Sequence, residues 1–120
     1  MDADDEGGGE GRGQRRVPFE LEVSYSLVQT DFVDSTRDLS AGGVFLRAER
    51  PFPIGTRLSL TFALPGRTKR IRVIGEVIRI VWGGRDHGRE IPRGMALRFL
   101  DLSPQDREAI EDIVREQSAT

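Results

Sequence analysis

The chain has 120 residues, the size of one domain with its own core, and carries 18 Lys plus Arg against 20 Asp plus Glu, a net charge of −2. It has no cysteine and a single histidine, His87, which excludes disulfides, thiolate metal sites, cysteine nucleophiles and two-histidine metal motifs, and leaves little for acid–base catalysis near neutral pH. No apolar run approaches the roughly 20 residues of a membrane-spanning helix, and the N-terminus lacks the basic and apolar regions of a secretion signal, so the expectation is a cytoplasmic protein that binds rather than catalyses, without membrane insertion.

Residues 1–10 hold five acids and no base, and no large apolar side chain follows Met1 until Val17. Such a stretch buries too little surface to offset the entropy of ordering, so a disordered acidic, Gly-rich tail is expected over 1–10. Residues 103–120 are also acidic, with five acids against Arg107 and Arg115. Between the two ends, residues 11–102 hold 16 bases and 10 acids. The body is therefore basic, which suits an anionic partner.

From Val17 to Leu27 every odd position is apolar or aromatic and the positions between are Pro, Glu or Ser, the period of a strand with one buried face. Shorter apolar stretches at 31–37 and 43–48 predict two more strands. Leu58, Leu60, Phe62 and Leu64 repeat the alternation up to the turn signal Pro65-Gly66. From Arg70 to Trp82 the pattern changes phase, with Ile71, Val73 and Val77 on one parity and a switch required between 76 and 79. A bend or bulge eased by Gly75 is expected there. Residues 83–90 read as a polar hairpin loop with His87 solvated in it, and Trp82 as half-buried at the rim. Met95, Leu97 and Phe99 make the last strand.

A helix closes the chain over 103–116. Ser103 is a suitable N-cap, Pro104 a suitable first residue, and Asp106 stands at the capping-box position. Ala109, Ile110, Ile113 and Val114 form an apolar stripe at helical spacing. Six strands in about 85 residues, with connections too short for crossover helices, predict an antiparallel barrel or tightly rolled sandwich.

Two motifs bear on function. Arg12 and Arg16 stand at i and i+4 just before the first strand, with Arg15 between them. Asp38, Ser40, Gly42 and Gly43 lie at the turn between the second and third predicted strands. Guanidinium groups grip phosphate bidentately, pair with guanine O6 and N7, or stack on a base. A carboxylate at Asp38 accepts from the N–H groups of a guanine edge, Ser40 donates or accepts, and a glycine at 43 allows close backbone approach and unusual angles. Taken singly, an arginine cluster beside a tail is most often solvated charge, and an Asp-x-Ser-x-x-Gly turn most often only a turn.

In this order, and around this alternation, the two motifs resemble those of the PilZ domain family. Arg12 and Arg16 match its Arg-x-x-x-Arg motif, and Asp38, Ser40 and Gly43 match its Asp/Asn-x-Ser-x-x-Gly motif. The stretch Gly43 to Leu46, Gly55 after Pro53, and the run from Pro92 to Phe99 are also similar. The resemblance implies a six-stranded antiparallel β-barrel of the split-barrel type (residues 17–100) with one C-terminal α-helix, in a single domain over 11–117 that begins with an arginine arm at 11–16. It implies a cytoplasmic receptor or adaptor for cyclic di-GMP, with no cofactor and no metal, and a protein partner in motility or exopolysaccharide machinery. The site would be Arg12, Arg16, Asp38, Ser40 and Gly43, with Arg15 and Gly42 as secondary contacts.

The arm is expected to be poorly ordered until it folds across the ligand, and the acidic tail to compete weakly with phosphate for its arginines. Two other readings stay open at this point. One is a PilZ fold that serves only as a protein-interaction module. The other, with no DNA duplex in view, is a small basic barrel for single-stranded nucleic acid; it is disfavoured because the outward positions Glu20, Glu22, Ser24, Ser26, Arg57, Ser59 and Thr61 include no aromatic.

Overall fold

The computed structural model describes residues 15–118. They form seven strands and one helix: β1 (Val17–Pro18), β2 (Glu22–Leu27), β3 (Thr30–Leu39), β4 (Gly43–Arg47), β5 (Arg57–Ala63), β6 (Arg70–Asp86), β7 (Arg89–Leu100) and α1 (Pro104–Ser118). All pairings are antiparallel, in the order β1-β3-β2-β5-β6-β7-β4, and a further β3–β4 pairing closes the sheet on itself. Strands β2 to β7 thus make a closed six-stranded barrel, and β1 lies along the end of β3. Closure removes the open edges that a sheet of this size would otherwise present.

The alternating residues fill the barrel. Val23, Leu39, Leu46, Val77 and Met95 have no accessible surface, and Leu58, Leu60, Phe62 and Leu97 are almost as enclosed. Helix α1 packs on this core through Ile110, Ile113 and Val114. Its start is capped as the sequence predicts: the Asp106 N–H donates to Ser103 Oγ at 3.1 Å.

Four expectations need correction. The alternation from Val17 to Leu27 is not one strand but two, broken at 19–21. At the break the buried Thr36 hydroxyl donates to the Phe19 carbonyl and accepts from the Leu21 N–H at 2.9 Å, so a side chain replaces the ladder there. The phase change in β6 falls within the expected 76–79, as a bulge with Ile78 the extra residue between the pairs Val77–Leu97 and Arg79–Ala96, but Gly75 is not what eases it. Gly75 has ordinary backbone angles; a Cβ there would stand 2.7 Å from Leu60 Cδ1, so its role is room for the core.

Residues 83–90 are not a loop. β6 and β7 stay paired out to Asp86 and Arg89, and His87 and Gly88 form a two-residue turn with φ of 54° and 80°. Trp82, carried past the barrel on this arm, is 61% exposed rather than half-buried. Among the described residues no helix is long and apolar enough to cross a membrane.

Candidate functional site

A β-bulge decides which way Asp38 points. β3 pairs Thr36 with Leu46 and Asp38 with Phe45, leaving Arg37 as the extra residue. Thr36 and Leu46 face the core, so strict alternation would turn Asp38 inward as well. The extra residue restores Asp38 to the outer surface, beside Phe45, while Leu39 opposite Val44 returns to the core.

On that surface Asp38 is gripped from two sides. Arg16 Nη1 donates to Asp38 Oδ1 at 2.6 Å, and Arg37 Nε and Nη2 donate to Oδ2 at 3.1 and 3.0 Å. The carboxylate is 9% exposed, while both guanidinium side chains remain nearly half-exposed. The Arg37 guanidinium also lies over the Phe45 ring, 4.9 Å from its centroid. Phe45 is 2% exposed although it faces outward. Arg37 therefore presents a planar cation, fixed by a carboxylate at its edge and a ring beneath it.

The register extends this site across the barrel wall. One lateral row on the outer face runs Pro18, Asp38, Phe45, Ala96, Arg79, and the next runs Gly43, Arg98, Glu76, Arg57. Arg98 donates to Glu76 Oε1 through Nε and Nη2 at 3.3 and 2.9 Å. The middle of the face is thus floored by Gly43, Phe45 and Ala96 and framed by arginines at both sides.

Ser40 and Gly43 do something different from Asp38. Ser40 is 3% exposed. Its Oγ accepts from the N–H groups of Gly42 and Gly43, both at 3.1 Å, and its own N–H donates to the Gly43 carbonyl at 2.9 Å. The Phe99 N–H donates to the Gly42 carbonyl at 2.9 Å and ties the turn to β7. Neither Gly42 nor Gly43 has a positive φ, so the expected backbone freedom is not used. What Gly43 supplies is close approach: a Cβ there would stand 2.1 Å from the Leu97 carbonyl oxygen. The serine and glycines build the turn that follows the strand displaying the aspartate.

Of the residues singled out from sequence, Arg16 and Asp38 are in contact, Ser40, Gly42 and Gly43 form the adjacent turn, and Arg15 is exposed. Arg12, most of the arm and the acidic tail lie outside the described residues. The arm's last residue is positioned by the protein itself through Asp38, which differs from an arm placed only by ligand. Sequence reasoning missed Arg37, Arg79 and Arg98. A bulge at Arg37 leaves no trace in a mostly polar strand, whereas Arg98 could have been found from its outward phase in β7. No group of His, Asp or Glu among the described residues is arranged to hold a metal ion.

Residues 10–116 match the PilZ domain family. Among curated proteins none matches by sequence. Several solved structures share the fold at low identity. The inhibitor of motility MotI/DgrA from Bacillus subtilis has a TM-score of 0.76 and 23% identity over 90% of this chain and 51% of its own, so this chain spans about half its length. The PilZ domain of YcgR from Escherichia coli, solved with c-di-GMP, has a TM-score of 0.68 and 19% identity, covering 90% of this chain and 92% of that one. The PilZ domain of CeSA from a cellulose-synthesizing bacterium has a TM-score of 0.58 and 19% identity, covering 87% and 98%. With the family match running from the arginine arm to the closing helix, and the closed barrel those relatives share, this chain belongs to the PilZ domain family.

Proposed function

We propose that this domain is a cyclic di-GMP receptor, not an enzyme, which couples the nucleotide to a protein partner in motility or exopolysaccharide machinery. One observation carries the reading: Arg16 and Asp38, 22 residues apart in sequence, meet at 2.6 Å on the outer face of the barrel, with the Arg37 guanidinium on the same carboxylate. Those are the two motifs a cyclic dinucleotide needs together. Arg16, joined by Arg12 and Arg15 from the arm, grips phosphate or the guanine O6 and N7 edge, and Arg37 offers a plane on which a base stacks. Asp38 accepts from the guanine N–H groups. Ser40 and Gly43 act by holding the turn on which Asp38 depends, with their backbone at the edge of the site. The known nucleotide complex of the YcgR PilZ domain, the motility inhibitor MotI and the PilZ domain of CeSA support this assignment and its pathways.

Since Arg16 and Arg37 already neutralise Asp38, the nucleotide exchanges one partner of that carboxylate for its own donors, and Arg16 is freed to turn toward phosphate. Calorimetric titration of cyclic di-GMP into the wild type and Arg16→Ala tests this. The substitution is expected to cost about 1.5–3 kcal/mol of binding, the range for a hydrogen bond to a charged group. Asp38→Ala should shrink the preference over cyclic di-AMP. Absence of any heat with the wild type would overturn the receptor reading and leave a protein-interaction module.

A further inference from the structure

The β6–β7 arm leaves one sheet edge bare. β5 pairs only with Arg70–Glu76 of β6. At Val77 the same side of the strand is closed by the loop before β5: its N–H donates to the Thr56 carbonyl at 2.9 Å, and its carbonyl accepts from the Gly55 N–H at 2.8 Å. From Ile78 to Asp86, no strand among the described residues pairs with that side. This stretch contains no Lys and no Pro, and it displays Ile78 at 42% and Trp82 at 61% exposure, with Ile80 and Val81 half-buried.

The opposite edge of the same arm is guarded. It carries Arg89, Glu90, Pro92 and Arg93. The Ala48 N–H donates to the Arg93 carbonyl at 3.1 Å, and the Arg93 side chain folds back to the carbonyls of Trp82 and Glu49. Natural sheets blunt their edges with charge and proline. Here the Ile78–Asp86 side has charge at Arg79, Arg85 and Asp86 but no proline, and Arg93 reaches over to its Trp82 carbonyl.

We infer that the Ile78–Asp86 edge pairs with the same edge of a second copy of this chain, antiparallel about a two-fold axis at Val81. The side-chain pattern selects this occupant and this register. With Val81 facing its own copy, Ile80 of each chain faces Trp82 of the other, an aromatic–β-branched pair formed twice. Arg79 then faces Gly83, and no like charges meet. A register centred on Trp82 sets Arg79 against Arg85, two cations directly opposed. A register centred on Ile80 brings Gly83 to Val77, whose N–H and carbonyl are already held by Thr56 and Gly55. The result is an isologous dimer. It uses residues other than those that grip Asp38, and its readout does not depend on nucleotide.

The test is the association state of the full chain, measured by sedimentation across a wide concentration range. A monomer–dimer equilibrium is expected for the wild type. In Val81→Lys two ammonium groups meet at the axis, and the dimer should be lost while the far-UV spectrum, and the Tm at concentrations where the wild type is monomeric, stay unchanged, because Val81 lies outside the core cluster. Since the chain has no cysteine, the register is read by mild oxidation of single-cysteine variants. Val81→Cys places two thiols within disulfide reach across the axis, whereas in Arg79→Cys they stand about 13 Å apart along the strands. Cross-linking of the first and not the second is the expected result. A wild type that stays monomeric at every concentration, a dimer that survives Val81→Lys, or equal cross-linking of both variants would overturn the proposal. The first of these outcomes leaves the edge to a strand of another protein.

Discussion

The barrel contains two bulges that do the same geometric job with opposite materials. In β3, Arg37 is the extra residue and Thr36 gives way to Asp38; in β6, Ile78 is the extra residue and Val77 gives way to Arg79. Each takes a strand from a buried side chain to a charged one on the outer face two positions later, with the extra residue on that outer face as well. Asp38 and Arg79 end at opposite sides of one lateral row, with Phe45 and Ala96 between them. The difference lies in the bulged residue. Arg37 binds a carboxylate and covers a ring, whereas Ile78 stands partly exposed with no polar role. A bulge is thus a way of re-aiming the neighbouring side chain, and only at β3 has the displaced residue itself become part of the site.

The glycines beside the two bulges separate them most strongly. A Cβ at Gly43 would meet the Leu97 carbonyl oxygen at 2.1 Å, and backbone between paired strands has nowhere to go. At Gly75 the nearest atom is Leu60 Cδ1, the end of a side chain that turns aside. Gly43→Ala should therefore cost about 3 kcal/mol or more and Gly75→Ala about 1 kcal/mol, both within the range for overpacking, by urea denaturation. Equal costs would mean that the β4–β7 pair yields as easily as a leucine.

Next in size are the residues at the bulges themselves. Thr36→Val keeps shape but leaves the Phe19 carbonyl and the Leu21 N–H without a partner, a loss of about 1–3 kcal/mol for buried groups. Ile78→Thr should change stability by less than about 0.5 kcal/mol, as for surface positions generally. Arg37→Ala divides stability from function: Arg37 is nearly half-exposed and Asp38 keeps Arg16 as a partner without it, so folding should lose about 1 kcal/mol or less, yet nucleotide affinity should fall by about tenfold or more, the equivalent of 1.4 kcal/mol. If Arg37→Ala bound cyclic di-GMP as well as the wild type does, the guanidinium plane would have no part in recognition.

Legibility followed the same division. The β6 switch could be read because Ile71, Val73 and Val77 set a parity that the polar residues after them break. The β3 bulge could not, since residues 31–37 mix polar and apolar side chains so freely that inserting one residue disturbs no pattern. The gap at 19–21 was hidden for the opposite reason: Phe19 and Leu21 keep the alternation perfectly while Thr36 takes the place of the ladder. Motif order gave Arg16 and Asp38 as neighbours, and it gave Ser40 and Gly43 as a pair beside them without showing that the serine hydroxyl holds the glycine N–H groups. Spacing alone does not distinguish a residue that touches a ligand from one that builds the turn beneath it. Residues 83–90 misled through composition, because two strands paired beyond the barrel have no core to face and so need no apolar period.

The smallest effect concerns the tip of that arm. His87 holds φ of 54° and Gly88 φ of 80°, the left-handed pair of a type I′ turn, between the paired residues Asp86 and Arg89. Asparagine tolerates the first of these positions better than a bulkier side chain does, and Asn-Gly is the preferred sequence for the turn. The His87 side chain is almost wholly exposed, and its contact with Asp86 is solvated, so little is lost with it. His87→Asn should raise Tm by about 1–3 °C, corresponding to a few tenths of a kcal/mol, with nucleotide affinity unchanged because the turn lies beyond the barrel wall that carries Asp38. A lower Tm would mean that the Asp86–His87 pair, and not the backbone, holds the turn, and the arm would then be the one place where the chain leaves its alternation on the strength of a side chain at the surface.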